Sequence, residues 1–302
     1  AEPGIALEAR PQKLVRTLTD DLLFCQGETC VYSGEHLGAI SLPLGGIGTG
    51  SVEIDGRAVR HLWHIFNNME LVCVPNSFFA VRVKSRGGRP VVRALQTVAT
   101  GPLAPVKSLT FRGEYPFGWY DFDDPDLLAR IHLEVFNPLV PLAERDSSIP
   151  CAIHNITMEN PTDEPLSVSV LATQQNAAGY TGDEAIDGRV FPTYGGNRTR
   201  LLRQAGATLL HMTVDRAPEA LGYGDMVLAV LDDGATGTAS WKDLATLADD
   251  FAEDGKLSGP EIAGPTPGGE TLDGALAVTA DLAPGERRTV TVLLTWHFPN
   301  AS

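Results

Sequence analysis

Residues 77–84, 90–98, 108–115, 129–136, 150–159, 166–174, 207–214, 225–232, 275–281 and 288–296 are rich in Val, Ile, Leu, Thr and Phe. Several of these runs alternate with period two. Ile131, Leu133 and Val135 interleave with Arg130, His132 and Glu134, the pattern of a strand with one face in a core and the other toward water. Between the runs lie Asn160-Pro161-Thr162-Asp163, Gly195-Gly196-Asn197 and Ala283-Pro284-Gly285, all turn chemistry. One segment has the helical period instead: Trp241, Leu244, Leu247, Ala248 and Phe251 share a face opposite Lys242, Asp243, Asp249, Asp250 and Glu253, which predicts a helix over 241–253. Gly255 is placed to end it. Residues 255–274, with Gly259-Pro260, Gly264-Pro265 and Pro267-Gly268-Gly269, read as an irregular inserted loop, because strand-like sequence resumes after it. No repeat of fixed period is found. The pattern predicts an all-β chain, a large antiparallel β-sandwich of the supersandwich kind with one or two short helices. Residues 1–302 are expected to form one domain, with 1–40 as an N-terminal extension.

Composition narrows the partners. A hydrophobic content of 43% over 302 residues can fill a large core. Lys+Arg 23 against Asp+Glu 38 leaves a net charge of −15, which disfavours nucleic acid and anionic membrane surfaces, since both need clustered cations. A neutral sugar is compatible with that charge. No apolar run reaches the roughly 18–20 residues of a membrane span, and no basic-then-apolar leader is present. Ala1 is compatible with a mature N-terminus after export or with a cytoplasmic protein. Cys25 and Cys30 enclose Gln26-Gly27-Glu28-Thr29 and either close a small disulfide loop or stay free, while Cys73 and Cys151 lie in apolar runs and read as buried thiols. No Cys/His pair at finger spacing and no His-Glu-x-x-His occurs, so no metal site and no cofactor is expected.

The densest local signal is Pro43-Leu44-Gly45-Gly46-Ile47-Gly48-Thr49-Gly50, followed by Ser51-Val52-Glu53-Ile54 and by Trp63-His64-Ile65-Phe66-Asn67-Asn68. Glycines at 45, 46, 48 and 50 let the backbone run where a Cβ would clash. A phosphate loop would require Lys-Ser/Thr after the last glycine, and a dinucleotide loop would open a helix, whereas Val52 and Ile54 alternate as a strand. A tight turn between strands is the residue-level reading.

The same stretch resembles the opening signature of the N-terminal domain of glycoside hydrolase family 116, the family of the non-lysosomal glucosylceramidase. Ser77-Phe78-Phe79-Ala80-Val81-Arg82, Glu114-Tyr115-Pro116, Val135-Phe136-Asn137-Pro138-Leu139-Val140-Pro141 and Asp146-Ser147-Ser148-Ile149-Pro150 resemble its later motifs. Leu282-Ala283-Pro284-Gly285-Glu286 and Leu294-Thr295-Trp296-His297-Phe298-Pro299-Asn300 are similar to its closing ones. The landmarks run from residue 43 to residue 300 in the family's order. The resemblance implies that a catalytic (α/α)6 barrel carrying the glutamate nucleophile and aspartate acid/base of a retaining β-glycosidase follows this region. No catalytic residue of the family then falls on these 302 residues.

Within the chain the chemistry-bearing candidates are weak. Asp121-Phe122-Asp123-Asp124-Pro125-Asp126 reads as a solvated turn rather than as a calcium site or a carboxylate pair placed across a sugar. His61 and His64 point to opposite faces of a strand, and no Gly-x-Ser-x-Gly elbow occurs. Aromatic residues beside amides stand out more: Trp63, Phe66, Asn67 and Asn68, then Trp119 and Tyr120, then Trp296, His297 and Asn300. Rings that take the C–H faces of a sugar and amides that take its hydroxyls suit a carbohydrate-facing or domain-facing surface, although each tryptophan equally fits a packing role. The candidate rim or interface residues are therefore Gly45, Gly46, Gly48, Gly50, Trp63, Asn67, Asn68, Trp296 and His297. A stand-alone carbohydrate-binding module and an aldose mutarotase-like enzyme are the alternatives, although the paired histidines and glutamate of the latter are not found.

Overall fold

The computed structural model describes residues 30–68, 71–182 and 184–301. Along the chain these form β1 (Val31–Ser33), a 3-10 turn (Gly34–Ala39), β2 (Ser41–Leu44), β3 (Ser51–Asp55), β4 (Arg60–His64), β5 (Phe79–Ser85), β6 (Val91–Ala94), β7 (Ser108–Glu114), β8 (Phe117–Asp123) and β9 (Arg130–Phe136). There follow α1 (Glu144–Ser147), β10 (Cys151–Glu159), β11 (Leu166–Gln175), β12 (Asn197–Gln204), β13 (Ala207–Val214), β14 (Asp225–Val230), β15 (Thr236–Trp241), α2 (Leu244–Asp254), β16 (Ile262–Ala263), β17 (Asp273–Leu282) and β18 (Arg287–His297). Most of the extension expected over 1–40, and with it the Cys25 end of the Cys25–Cys30 pairing, lies outside the described residues.

The strands build three antiparallel sheets. One has ten strands in the order β1-β7-β8-β9-β10-β18-β14-β13-β12-β16, one has five in the order β15-β17-β11-β5-β6, and β2-β3-β4 form the third. The chain is thus the all-β antiparallel sandwich that its alternation predicts. Ile131, Leu133 and Val135 of β9 point inward with Ile156 and Met158 of β10 and Val290, Val292 and Leu294 of β18. They share one core with Val81 and Val83 of β5, Val168 and Val170 of β11 and Val278 and Ala280 of β17. Leu44, Val52, Ile54 and Trp63 bring the three-stranded sheet into that core. Each such side chain contributes on the order of 1.5–3 kcal/mol of transfer free energy.

The five-stranded sheet is covered on its second face as well. Ala80, Leu171, Ala275 and Ala277 meet Leu247 and Phe251 of α2, together with Phe78, Trp241 and Leu257. The helix is shorter than its apolar period suggests. Trp241 ends β15, and Asp243 caps the helix by accepting from the Thr246 amide at 2.9 Å, a start signal that outweighs hydrophobic spacing. Gly255 ends it in the left-handed region at φ 82°, its amide donating to Phe251 O. The buried Arg82 reaches from β5 to the same end, donating to the carbonyls of Ala252 at 2.8 Å and Glu253 at 2.9 Å, where a cation suits the helix dipole.

Three further expectations need correction. β12 was not legible as a strand, because Arg198, Arg200, Arg203 and Gln204 make it polar; its place is secured by pairing with β13 and β16. Residues 255–274 are not wholly irregular, since β16 and the first residues of β17 lie among them. Cys151 is buried, but Cys73 is exposed, since it alternates out of phase with the buried Val72 and Val74.

Candidate functional site

β2 ends at Leu44 and β3 begins at Ser51, so the chain turns back within the glycine run. The turn is closed by the Thr49 amide and hydroxyl, which donate to Gly46 O at 3.2 Å and 3.0 Å. Its neighbours are backbone. A Cβ on Gly46 would stand 2.5 Å from Ile149 O, and one on Gly50, whose φ is +83°, would overlap His64 O; both positions require glycine. The Ile47 amide donates to Ser147 O at 2.8 Å, tying the loop to α1. From β18 the buried Trp296 donates its indole N–H to Thr49 O at 2.7 Å, and its ring lies beside Gly45. Gly48, at φ +74°, faces open space. The loop borders a shallow depression of about 260 Å³ together with Pro43, Ser51 and Tyr115. Ile47, Tyr115 and Ile149 are exposed around it.

The other candidates divide. Asn67, with φ 56°, donates its side-chain amide to Phe298 O at 2.8 Å and so anchors the chain two residues beyond Trp296. Asn68 donates to Gly182 O at 3.3 Å and accepts from His64 Nε2 at 2.9 Å through its own carbonyl. Trp63 is fully buried, with the Arg60 guanidinium 5.9 Å from its ring centre, and presents no surface. His297 is exposed, 4.0 Å from Asp225, which also accepts from His211 Nε2 at 2.8 Å. The structure therefore gathers Gly45, Gly46, Gly48, Gly50 and Trp296 into one corner with Asn67 near it. Trp63 lies in the core and His297 on the open face of the ten-stranded sheet.

The acidic run is occupied by partners within the domain. Arg93 spans Asp124 at 2.8 Å and Asp126 at 2.6 Å, Asp123 accepts from Ser108 at 3.1 Å, and Asp121 pairs with His132. His61 bonds the Ser41 hydroxyl at 2.9 Å.

A surface that sequence reasoning missed crosses the outer face of the ten-stranded sheet. Register places Phe117, Phe136, Ile153, Leu293, Ala229, Leu209 and Leu202 side by side on seven successive strands, β8 to β12 in sheet order. All but the small Ala229 keep solvent exposure. Two residues along each strand runs a parallel row, Arg112, Trp119, Glu134, Asn155 and Thr291. Its members satisfy one another: Trp119 Nε1 and Asn155 Nδ2 donate to Glu134 at 2.8 Å and 3.0 Å, Thr291 donates to Asn155 at 2.8 Å, and Arg112 sits 4.1 Å from the Trp119 ring centre. The Phe117 ring lies nearly parallel to that of Trp119, 5.6 Å away. The signal was present in the alternation, since Phe136 follows Arg130, His132 and Glu134 in the outward phase of β9.

A family profile described as beta-glucosidase 2, glycosyl-hydrolase family 116 N-term, matches residues 41–302. Among solved structures, a protein provisionally titled kojibiose phosphorylase from human microbiome is similar with a TM-score of 0.42 and 10% identity over 88% of this chain. A polysaccharide lyase is similar with a TM-score of 0.35 and 11% identity over 91%. The chain spans 32% and 33% of the length of these two proteins.

Proposed function

As the chain belongs to the N-terminal domain family of glycosyl-hydrolase family 116, we propose that it is the non-catalytic β domain of a retaining β-glycosidase acting on β-glucosides, glucosylceramide or close relatives. It supports the catalytic helical barrel and shapes the rim of that barrel's site with the glycine-loop corner. The observation that carries the reading is the half-exposed apolar row on the ten-stranded sheet. Large exposed apolar patches mark interaction sites, and a rigid interdomain contact is usually large and hydrophobic. Aromatic residues and arginine, here Phe117, Trp119, Phe136 and Arg112, are the residue types that dominate such contacts. The glycine loop lies where β18 ends and the chain continues through Phe298, so a domain joined there would meet Ile47, Tyr115 and Ile149.

The test combines the purified 302-residue chain with a separately produced catalytic barrel of a family 116 enzyme. The chain alone is expected to release nothing from an aryl β-glucoside, and the two together to associate and turn it over. Turnover by the chain alone, abolished by one Asp or Glu substitution within it, would overturn the reading. Saturable sugar binding without association would favour a carbohydrate-binding module instead.

A further inference from the structure

Arg60, Trp63 and His154 are buried, with exposures of 3%, 0% and 0%. Each keeps one nitrogen that no protein group bonds among the described residues: Arg60 Nε, Trp63 Nε1 and His154 Nε2. Arg60 is the common neighbour: it shares the Phe79 ring with His154 and also lies beside Trp63. The Arg60 guanidinium carbon is 4.8 Å from the centre of Phe79 and 5.9 Å from that of Trp63, and the His154 ring is 5.0 Å from Phe79. Arg60 uses its two terminal nitrogens elsewhere, donating to Gln174 Oε1 at 3.3 Å and Thr173 O at 3.1 Å on β11. Among the described residues no carboxylate pairs with it.

The donor pattern selects the ligand. His154 Nδ1 faces the Val292 carbonyl at 3.4 Å, which can only accept, so Nδ1 carries the proton and Nε2 presents a lone pair. Burial, and then the Arg60 charge, lower the His154 pKa to about 3, so the ring stays neutral at ordinary pH. Two N–H donors and one lone pair are left. A halide could accept from Arg60 and Trp63 but would be repelled by the His154 lone pair. Water can accept from both donors and donate to the third group, which is how buried polar atoms without protein partners are commonly satisfied.

We propose that Arg60 Nε, Trp63 Nε1 and His154 Nε2 form a buried hydration site that holds one internal water. The water links β4 to β10, while Arg60 links β4 to β11, so the three-stranded sheet carrying the glycine loop is fastened to both sheets of the sandwich through polar bonds inside an apolar core. This assignment does not depend on the proposed glycosidase role.

A high-resolution crystal structure of the 302-residue chain, repeated after a bromide soak, tests the site directly. One oxygen peak is expected about 2.7–3.2 Å from each of the three nitrogens, with no anomalous bromide signal there. Oxygen-17 relaxation dispersion in solution should count one fewer long-lived water in Trp63→Phe, which removes a single donor and keeps a ring. A bromide peak between the three groups, or Arg60 Nε bonded directly to His154 Nε2, would overturn the proposal. So would an unchanged water count in a folded Trp63→Phe. If that variant does not fold, the native crystal decides.

Discussion

The five-stranded sheet is buried on both faces, whereas the ten-stranded sheet buries only one. Behind the first, Phe251 and Leu247 of α2 seal Ala80, Leu171 and Ala277, and Arg82 stitches the helix end to the sheet. On the back of the second, Phe117, Phe136, Ile153 and Leu293 stay half-exposed in a row that no element among the described residues covers. Both sheets have apolar residues on both faces. Apolar content alone therefore does not say which face is finished within the domain; the presence of a covering helix does. The same physical tendency that folds α2 onto one sheet leaves the other with a surface suited to a second body.

The strongest way to break this contrast is truncation on each side. Phe251→Ala is expected to cost about 3–5 kcal/mol in denaturant unfolding of the chain, while Phe136→Ala should cost only about 1 kcal/mol, because its ring is only partly buried. Equal losses would mean that the outer row is core by another route.

Protonation sharpens the sealed side. Asp273, at the start of β17, is fully buried and accepts from Asn76 at 2.8 Å, Gln175 at 3.2 Å and Arg189. Burial outweighs these partners and pushes its pKa up to about 6. Its unfolded value is about 3.9, so folding takes up a proton between about pH 4 and 6, and this group's contribution to stability falls as pH rises through that window. His154 works in the opposite direction: neutral in the fold down to about pH 3 and protonated when unfolded below about 6.5, it makes stability rise with pH over that range. Asp273→Asn leaves His154 unopposed. Stability should then climb more steeply between about pH 4 and 6, by up to about 1.4 kcal/mol per unit, and an unchanged slope would show that Asp273 is ionised throughout.

Smaller effects are expected at the glycine-loop corner that Trp296 of the ten-stranded sheet braces. Gly50→Val should cost about 1–3 kcal/mol, from left-handed strain and overlap with the His64 carbonyl. Gly48→Val meets open space, carries only the strain, and should sit at the lower end of that range. Equal Tm losses would show that steric contact with β4 is not what holds the loop.

The smallest change in stability, and the most telling for partnership, belongs to Phe117→Asp. The isolated chain should lose about 1 kcal/mol or less, yet association with the proposed catalytic barrel should weaken by at least about tenfold, or 1.4 kcal/mol. Unchanged association would move the docking surface away from this face.

Much of the architecture was legible because alternation reports burial locally. β9 and β10 could be read from neighbouring residues, and so could the apolar face of α2 and its stop at Gly255. β12 could not, because its arginines conceal a strand held by partners on both sides. In the candidate site the glycine run announced itself, but the Trp296 bond to Thr49 joins positions 247 residues apart, and nothing local distinguishes a tryptophan that braces a loop from Trp63, which fills the core.

The sequence by itself determined the strand periods, the turns and the glycine loop, because backbone conformation and one-sided burial depend on residues a few positions apart. Only the tertiary structure decided which outward apolar residues would be covered and which left open. Phe136, Ile153 and Leu293 become a continuous row only when register sets their strands side by side, and whether such a row is sealed depends on whether a helix such as α2 packs across it.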